Sequence, residues 1–357
     1  MRITYFPALL LDSLSYLFMN FQQTGEITPS SPEAIDDYIR RNQVTKLKHF
    51  FRDPGEVPKL RFTETTWRLN YVVRQFRFPS FIVTGDDRND MVYGRFYKKR
   101  GGENLPVVIL LHGWRMGNYS GFDRFRRLFM RKGWNSVLMD LPYHMNRTPT
   151  ASFSGEYMFT SHAIRTMEAL RQSVMDVRSV VNWLKAQGVK QVGIFGVSFG
   201  ALITGILACV DEDIDFAILV APPADFATIF RKSRLRDIFR KTNPSVKELI
   251  ERYDDSLNAI SLLRHKPLLA PEKILIVEAL YDQMVPTEVV EKLWRAWKMP
   301  NIRRYPHGHL SVVVLNPRLD MDLMKFIDRI NLSNKKITKI KKTEVKGKKK
   351  SHQKSHG

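Results

Sequence analysis

Val192-Gly193-Ile194-Phe195-Gly196-Val197-Ser198-Phe199-Gly200 runs from an apolar, strand-like segment into Gly-x-Ser-x-Gly. A serine hydroxyl is a poor nucleophile unless a general base and an anion-stabilising pocket stand beside it. Glycines on either side permit a sharp strand-to-helix turn and let backbone approach where a Cβ would block it. Ser198 would stand at the tip of that turn. A following helix, Ala201 to about Cys209, would aim its N-terminal N–H groups at a developing oxyanion. Alone the pattern is weak, since Gly and Ser are common enough for it to arise by chance in roughly one chain in ten of this length.

Working outward, the surroundings strengthen it. Upstream, Leu105-Pro106-Val107-Val108-Ile109-Leu110-Leu111 reads as a buried strand ending in His112-Gly113-Trp114. Downstream, Lys273-Ile274-Leu275-Ile276-Val277 is a second such run, with Asp282 in the loop after it. Tyr305-Pro306-His307-Gly308-His309 follows another short strand-like segment. Nucleophile, acid and histidine thus come in the order Ser, Asp, His.

Between these points the chain alternates. Strands are expected at 107–111, 135–140, 190–195, 216–220, 273–278 and 301–305. Helices are expected near 122–132, 162–187, from 199, 286–298 and 317–330. Such alternation implies an α/β fold with a mostly parallel sheet covered by helices on both faces. Sites in such sheets form where loops leave the carboxyl ends of strands, which is where Trp114, Ser198 and Asp282 fall. Trp67–Phe78 and Met91–Lys98 alternate apolar and polar residues across a turn-rich stretch, so an antiparallel lead-in pair is expected. The connection from Val220 to Lys273 is too long for a simple loop, and its helical patterning is read as a lid insertion at about 224–266. The first part of that insertion is basic: Arg231, Lys232, Arg234, Arg236, Arg240 and Lys241.

A single Cys209 rules out an intrachain disulfide and reads as a small core residue. Net charge is +21, and residues 331–357 supply +9 of it through ten lysines against Glu344 alone. That stretch has little to bury, so a disordered, lysine-rich tail is expected. With the basic insertion it is suited to contact an anionic membrane surface, and nucleic acid is the less favoured partner. Ile3 to Phe21 is mostly apolar, but Asp12 interrupts it and no signal-peptide cleavage pattern follows. An amphipathic helix is expected there, packed on the domain in preference to a membrane surface. Residues 1–66 then form a helical N-terminal extension, 67–330 the main domain, and the compartment is read as cytoplasmic, with peripheral membrane contact. No His/Cys/Asp/Glu cluster has metal-ligand spacing, so neither metal nor cofactor is expected.

Over roughly residues 67–330 the chain resembles the α/β-hydrolase superfamily of serine hydrolases. The resemblance is carried by His112-Gly113, Gly196-Val197-Ser198-Phe199-Gly200, Ala279-Leu280-Tyr281-Asp282 and Gly308-His309. Within the superfamily, Asp140-Leu141-Pro142-Tyr143-His144-Met145-Asn146-Arg147-Thr148-Pro149 is similar to the corresponding loop of two groups. These are the α/β-hydrolase domain-containing protein 18 group and the dienelactone-hydrolase/prolyl-oligopeptidase branch. The family often has Gly where Ala279 stands, a departure that touches turn shape.

The resemblance implies Ser198 as nucleophile, His309 as its base and Asp282 as the carboxylate that orients the imidazole. The oxyanion donors would be the backbone N–H groups of Trp114 and Phe199, with Arg115 as a substitute. Asp282 has rivals in Glu278 and Asp225, and could merely cap the helix that begins near Val285. His307 rivals His309, and the family's placement of its histidine directly after Gly308 favours His309. His112 is read as structural support for the oxyanion loop. His144 and Arg147, with Arg115, are substrate-side candidates. The reading is an esterase or lipase-like acyl hydrolase acting on a small-molecule or lipid ester. A thioesterase or peptidase would use the same three residues, and the rival class is a binding protein on an inactive hydrolase fold.

Overall fold

The computed structural model describes residues 5–22, 28–242 and 246–332. Nine strands form one sheet: Arg61–Trp67 (β1), Tyr71–Pro79 (β2), Met91–Lys99 (β3), Val107–Leu111 (β4), Asn135–Met139 (β5), Val192–Val197 (β6), Phe216–Val220 (β7), Ile274–Ala279 (β8) and Asn301–Tyr305 (β9). Their spatial order is β1-β2-β3-β5-β4-β6-β7-β8-β9. From β5 to β9 every pairing is parallel, while β1, β2 and β3 lead in as an antiparallel ribbon whose last member pairs antiparallel with β5. The fold is the α/β architecture that the sequence implies.

The central strands are wholly buried because helices cover both faces, and they are continuous apolar runs for that reason. Side-chain alternation sorts each strand between two cores. Val107, Ile109, Leu111, Ile194 and Leu219 face one core, built with Ala163–Ala186 (α5) and Phe199–Val210 (α6). Val108, Leu110, Phe195, Ile218 and Val220 face the other, built with Asp123–Arg131 (α4) and a C-terminal helix over 317–332. Cys209 is buried in the first core, and burial pushes its thiol up to about 12, as suits an inert packing residue.

Two departures from the sequence reading concern the N-terminal stretch. β1 was not expected: in Arg61-Phe62-Thr63-Glu64-Thr65-Thr66-Trp67 most positions are exposed, so hydrophobic alternation is faint. It crosses the boundary read at residue 67. In addition Pro32–Asn42 (α2) and Leu47–Phe50 (α3) do not stand apart, since Tyr38, Leu47, Phe50 and Phe51 join the first core.

Tyr5–Gln22 (α1) packs by a polar face. Asp12 is buried, Ser13 Oγ lies 3.1 Å from Arg234 Nη1, and the Tyr16 hydroxyl reaches Asp237 at 3.5 Å. Phe6, Leu10, Leu14 and Leu17 are exposed. Among the described residues no helix is long and apolar enough to cross a membrane.

Residues 221–273, between β7 and β8, hold Phe226–Lys232 (α7), Leu235–Thr242 (α8), Val246–Arg252 (α9) and Asp254–Ala259 (α10). Several of the basic residues here are paired: Arg231 with Asp254, Lys232 with Glu288, and Arg236 with Asp237. The lysine-rich tail lies outside the described residues from 333 onward.

Candidate active site

Six connections meet at the carboxyl edge of the parallel sheet, after β4, β5, β6, β7, β8 and β9, and three of them supply Ser198, Asp282 and His309. β6 ends at Val197 and α6 begins at Phe199, so Ser198 alone makes the turn. It does so at φ +54° and ψ −117°, a strained conformation that costs on the order of 1–3 kcal/mol. The Ser198 N–H donates to the Val220 carbonyl at 2.8 Å, which ties the turn to the neighbouring strand.

The flanking glycines are needed for space. A Cβ on Gly196 would lie 2.1 Å from the Gly200 carbonyl oxygen. One on Gly200 would lie 2.2 Å from the Leu111 carbonyl oxygen and 2.7 Å from that of His112. The elbow therefore closes only when both side chains are absent, and closing it brings the loop after β4 against the serine. A Cβ on Gly113 would lie 3.4 Å from the Ser198 Cβ.

His309 comes from the loop after β9. Its Nε2 lies 2.8 Å from Ser198 Oγ and its Nδ1 lies 2.7 Å from Asp282 Oδ2. With Nδ1–H donated to the carboxylate, Nε2 is left as the acceptor for the serine proton. Asp282 also caps the segment after it: its Oδ1 accepts from the N–H groups of Met284 and Val285, each at 2.8 Å. Capping and orienting the histidine are thus simultaneous tasks of two oxygens. The Asp282 side chain is 2% exposed and that of His309 6%. Burial alone would push the imidazole pKa down. The charge and hydrogen bond of Asp282, with the charge of Asp12 behind them, outweigh it and hold the pKa above the ordinary value of 6.5.

The rival residues are engaged elsewhere. Glu278 pairs with Arg304 of β9 and is pushed up to about 7 by burial and by Glu291. Asp225 accepts from the Thr228 hydroxyl at the start of α7. His307 is half-buried, with its carbonyl accepting from the Tyr281 N–H.

Two substrate-side candidates are corrected. Arg147 is 0% exposed, with Nη1 2.7 Å from Asp176 Oδ2 and Nε and Nη2 donating to the Asn89 carbonyl. It is a buried structural cation that fastens the loop after β5 to α5. His144 is fully buried too. Its Nδ1 donates to the Pro142 carbonyl at 2.7 Å, and its Nε2 accepts the Arg115 N–H at 3.1 Å. That bond occupies the Arg115 amide and removes it as a substitute oxyanion donor. The Arg115 guanidinium sits between the Trp114 and Phe153 rings, 4.7 and 4.5 Å from their centroids.

His112 holds the same loop from its other end. Its Nδ1 donates to the Gly113 carbonyl at 2.8 Å and its Nε2 accepts the Leu141 N–H at 3.1 Å. Burial drives both His112 and His144 toward the neutral form that these bonds require. The Phe159 ring stacks edge-on against Trp114 at 5.2 Å and against Phe199 at 5.5 Å, with Phe226 at 6.2 Å. The serine therefore stands beside an aromatic cluster.

One residue in contact with this machinery escaped the sequence reading. Asp12 of α1 accepts the His309 N–H at 2.8 Å and the Leu310 N–H at 3.1 Å. The signal was present as a lone carboxylate inside an apolar helix, but nothing local indicates what it meets.

No protein-family model matches the chain. Two curated proteins of Mycobacterium tuberculosis do, the uncharacterized proteins MT2702 (strain CDC 1551 / Oshkosh) and Rv2627c (strain H37Rv). Each is 30% identical over 320 residues, which cover 84% of this chain and 74% of the relative. Among solved structures, acetyl xylan esterase 1 from Thermoanaerobacterium sp. JW/SL YS485 superposes with a TM-score of 0.59 at 18% identity, covering 88% of this chain and 98% of its own. The acetyl xylan esterase of Paenibacillus sp. R4 gives 0.58 at 13% identity, over 87% and 98%. The acylaminoacyl peptidase of Pyrococcus horikoshii gives 0.52 at 18% identity, over 72% of this chain and 42% of that one. At these identities the superpositions speak for the fold. Together with the serine elbow at the carboxyl edge of the sheet, they show that this chain has the α/β-hydrolase fold, and by sequence it belongs to one family with the two mycobacterial proteins.

Proposed function

We propose that the protein is a serine hydrolase that cleaves carboxylic esters through an acyl-enzyme on Ser198. The observation that carries this reading is the unbroken chain of short contacts from Ser198 Oγ to His309 Nε2 and from His309 Nδ1 to Asp282 Oδ2. Ser198 Oγ attacks the ester carbonyl while His309 Nε2 takes its proton. The resulting imidazolium is stabilised by Asp282 and then protonates the departing alcohol. Water, deprotonated by the same nitrogen, attacks the acyl carbon and releases the acid and Ser198.

The tetrahedral oxyanion would be held by the backbone N–H groups of Phe199, at the head of α6, and Trp114, in the loop set against Ser198 by Gly113. The aromatic cluster of Trp114, Phe159, Phe199 and Phe226 supports an apolar acyl group as the natural cargo. The helices of residues 221–273 include Phe226 of that cluster, which supports their reading as a cover over the acyl site.

The test is covalent. A fluorophosphonate probe should label the wild type and leave Ser198→Ala unlabelled, and the same substitution should abolish hydrolysis of short p-nitrophenyl esters without loss of the folded state. Hydrolysis by Ser198→Ala at the wild-type rate would sink the mechanism.

A further inference from the structure

The N-terminal helix reaches the hydrolytic centre through a single carboxylate. Asp12 is 1% exposed, and its two oxygens each take a backbone N–H from consecutive residues: Oδ2 from His309 and Oδ1 from Leu310. The fit is close, since a Cβ on Gly308 would fall 2.5 Å from Oδ2 and within 2.8 Å of the rest of the carboxyl group. Both bonds present N–H donors to the side chain and so favour its ionised form, against burial and the Asp282 charge, which raise its pKa. A burial of this kind is costly unless the charge is compensated, and the compensation comes from the backbone of the loop that carries His309. Around it, α1 meets the body of the protein where Tyr16 shares a small apolar cluster with Trp114, Leu235, Ile238 and Met284. Trp114, whose backbone is the proposed oxyanion donor, packs against the same cluster.

We propose that Asp12 is a positioning residue of the hydrolytic site, holding the backbone of His309 and Leu310 so that the imidazole stays aligned between Asp282 and Ser198. The inference rests on the Ser198–His309–Asp282 reading. Within the loop after β9 the Gly308 N–H donates to Ser311 Oγ at 2.9 Å and the Val312 N–H to the Gly308 carbonyl at 3.0 Å, while the Tyr281 N–H holds the start of the loop through the His307 carbonyl at 2.9 Å. Asp12 adds a tie from the N-terminal helix to the backbone of His309 and Leu310 themselves. Alignment matters because misplacing a reacting group by about 1 Å can cost on the order of 100-fold in rate.

The charge has a second effect on the same ring. Asp12 and Asp282 both favour the imidazolium, and burial, with the Asp282 charge after it, raises the pKa of Asp12 itself. The groups to be considered around Asp12 are therefore His309 and Asp282, with Asp237 and Arg234 of the α8 region facing Tyr16 and Ser13 farther along α1. Removing the Asp12 charge should lower the pH at which His309 titrates.

The experiment compares wild type, Asp12→Asn and Asp12→Ala in the full chain on a soluble p-nitrophenyl ester across pH, with thermal unfolding as the check on fold. In parallel, the His309 ring is titrated by NMR with and without Asp12→Asn in the Ser198→Ala background. The expected result is a kcat lowered about 10-fold or more in Asp12→Ala and less in Asp12→Asn, which keeps one acceptor, with KM unchanged. Both variants should move the acid limb of kcat to lower pH, and the NMR titration should move with it. If Asp12→Ala fails to fold, Asp12→Asn decides. A folded Asp12→Asn with wild-type kcat and an unmoved His309 titration overturns the proposal, as does a fall in kcat without any change in titration. A wild type that neither labels with fluorophosphonate nor hydrolyses esters overturns the hydrolase reading instead. The NMR titration then still decides whether Asp12 acts on His309.

Discussion

His309 and His307 stand two residues apart in one loop, and the site distinguishes them by contacts. His309 joins Ser198 and Asp282 through its two ring nitrogens, whereas His307 takes part in the loop through its backbone. His309→Ala should therefore lower kcat/KM by roughly 10³-fold or more, and His307→Ala should cost little. Steady-state kinetics on one ester substrate checks the ranking, and the reverse order would reassign the base. The pH profile follows from the same contacts. The base must be neutral to accept the serine proton, and the nearby carboxylates raise its pKa, so activity should fall as pH drops through a value above the ordinary 6.5. Asp282→Asn removes the charge with the stronger effect on His309 and should shift that limb to lower pH while depressing the rate. At this scale the sequence was informative about residues that strand ends expose, and Ser198, Asp282 and His309 all lie there. It misled about Arg147 and His144, because a polar residue in a loop beside a site looks the same in sequence whether it faces substrate or is turned inward to bond backbone.

The loop after β5 and its anchor on α5 show what those inward-turned residues do. Arg147 and Asp176 form a pair whose side chains are 0% and 2% exposed, extended by Ser80, whose hydroxyl donates to Asp176 at 2.6 Å. Burial raises the Asp176 pKa even against the Arg147 charge, so the carboxylate depends on its partner. Arg147→Met should cost about 3–5 kcal/mol, because it leaves a buried carboxylate without its cation. A drop in the urea midpoint at unchanged slope would report it; a midpoint within error of wild type would show that the pair contributes nothing. Element by element, the parallel strands were legible because burial on both faces turns them into unbroken apolar runs such as Val107–Leu111 and Phe216–Val220. β1 was not, since most of its side chains meet solvent and its place is set by pairing with β2.

For the whole molecule, the second core closes with Leu319, Leu323, Phe326, Ile327 and Ile330 of the C-terminal helix. Trp134, in the same core, adds a bond from its Nε1–H to Asn331 Oδ1 at 3.1 Å. A chain ended after residue 332 should therefore keep the unfolding temperature and the turnover of a soluble ester. Differential scanning calorimetry and ester kinetics check this, and a loss of either would place the domain boundary farther along. The N-terminal third of the fold was less legible at this scale than the rest. α2 and α3 join the common core through partners far away in the chain, which a local pattern cannot announce, and the mostly exposed β1 joins the sheet only through its neighbour β2.

The bond between Asp12 and His309 spans 297 residues. During synthesis the chain emerges with its first helix early, and domains begin to fold before translation ends. Asp12 then has no loop to hold until nearly the whole chain has been made, because Gly308, His309 and Leu310 are among the last parts of the domain to leave the ribosome. Ser198 is in place long before His309 is fixed beside it. On an unfinished chain it is a hydroxyl whose proposed partner takes its place only once residues 12 and 309 have met.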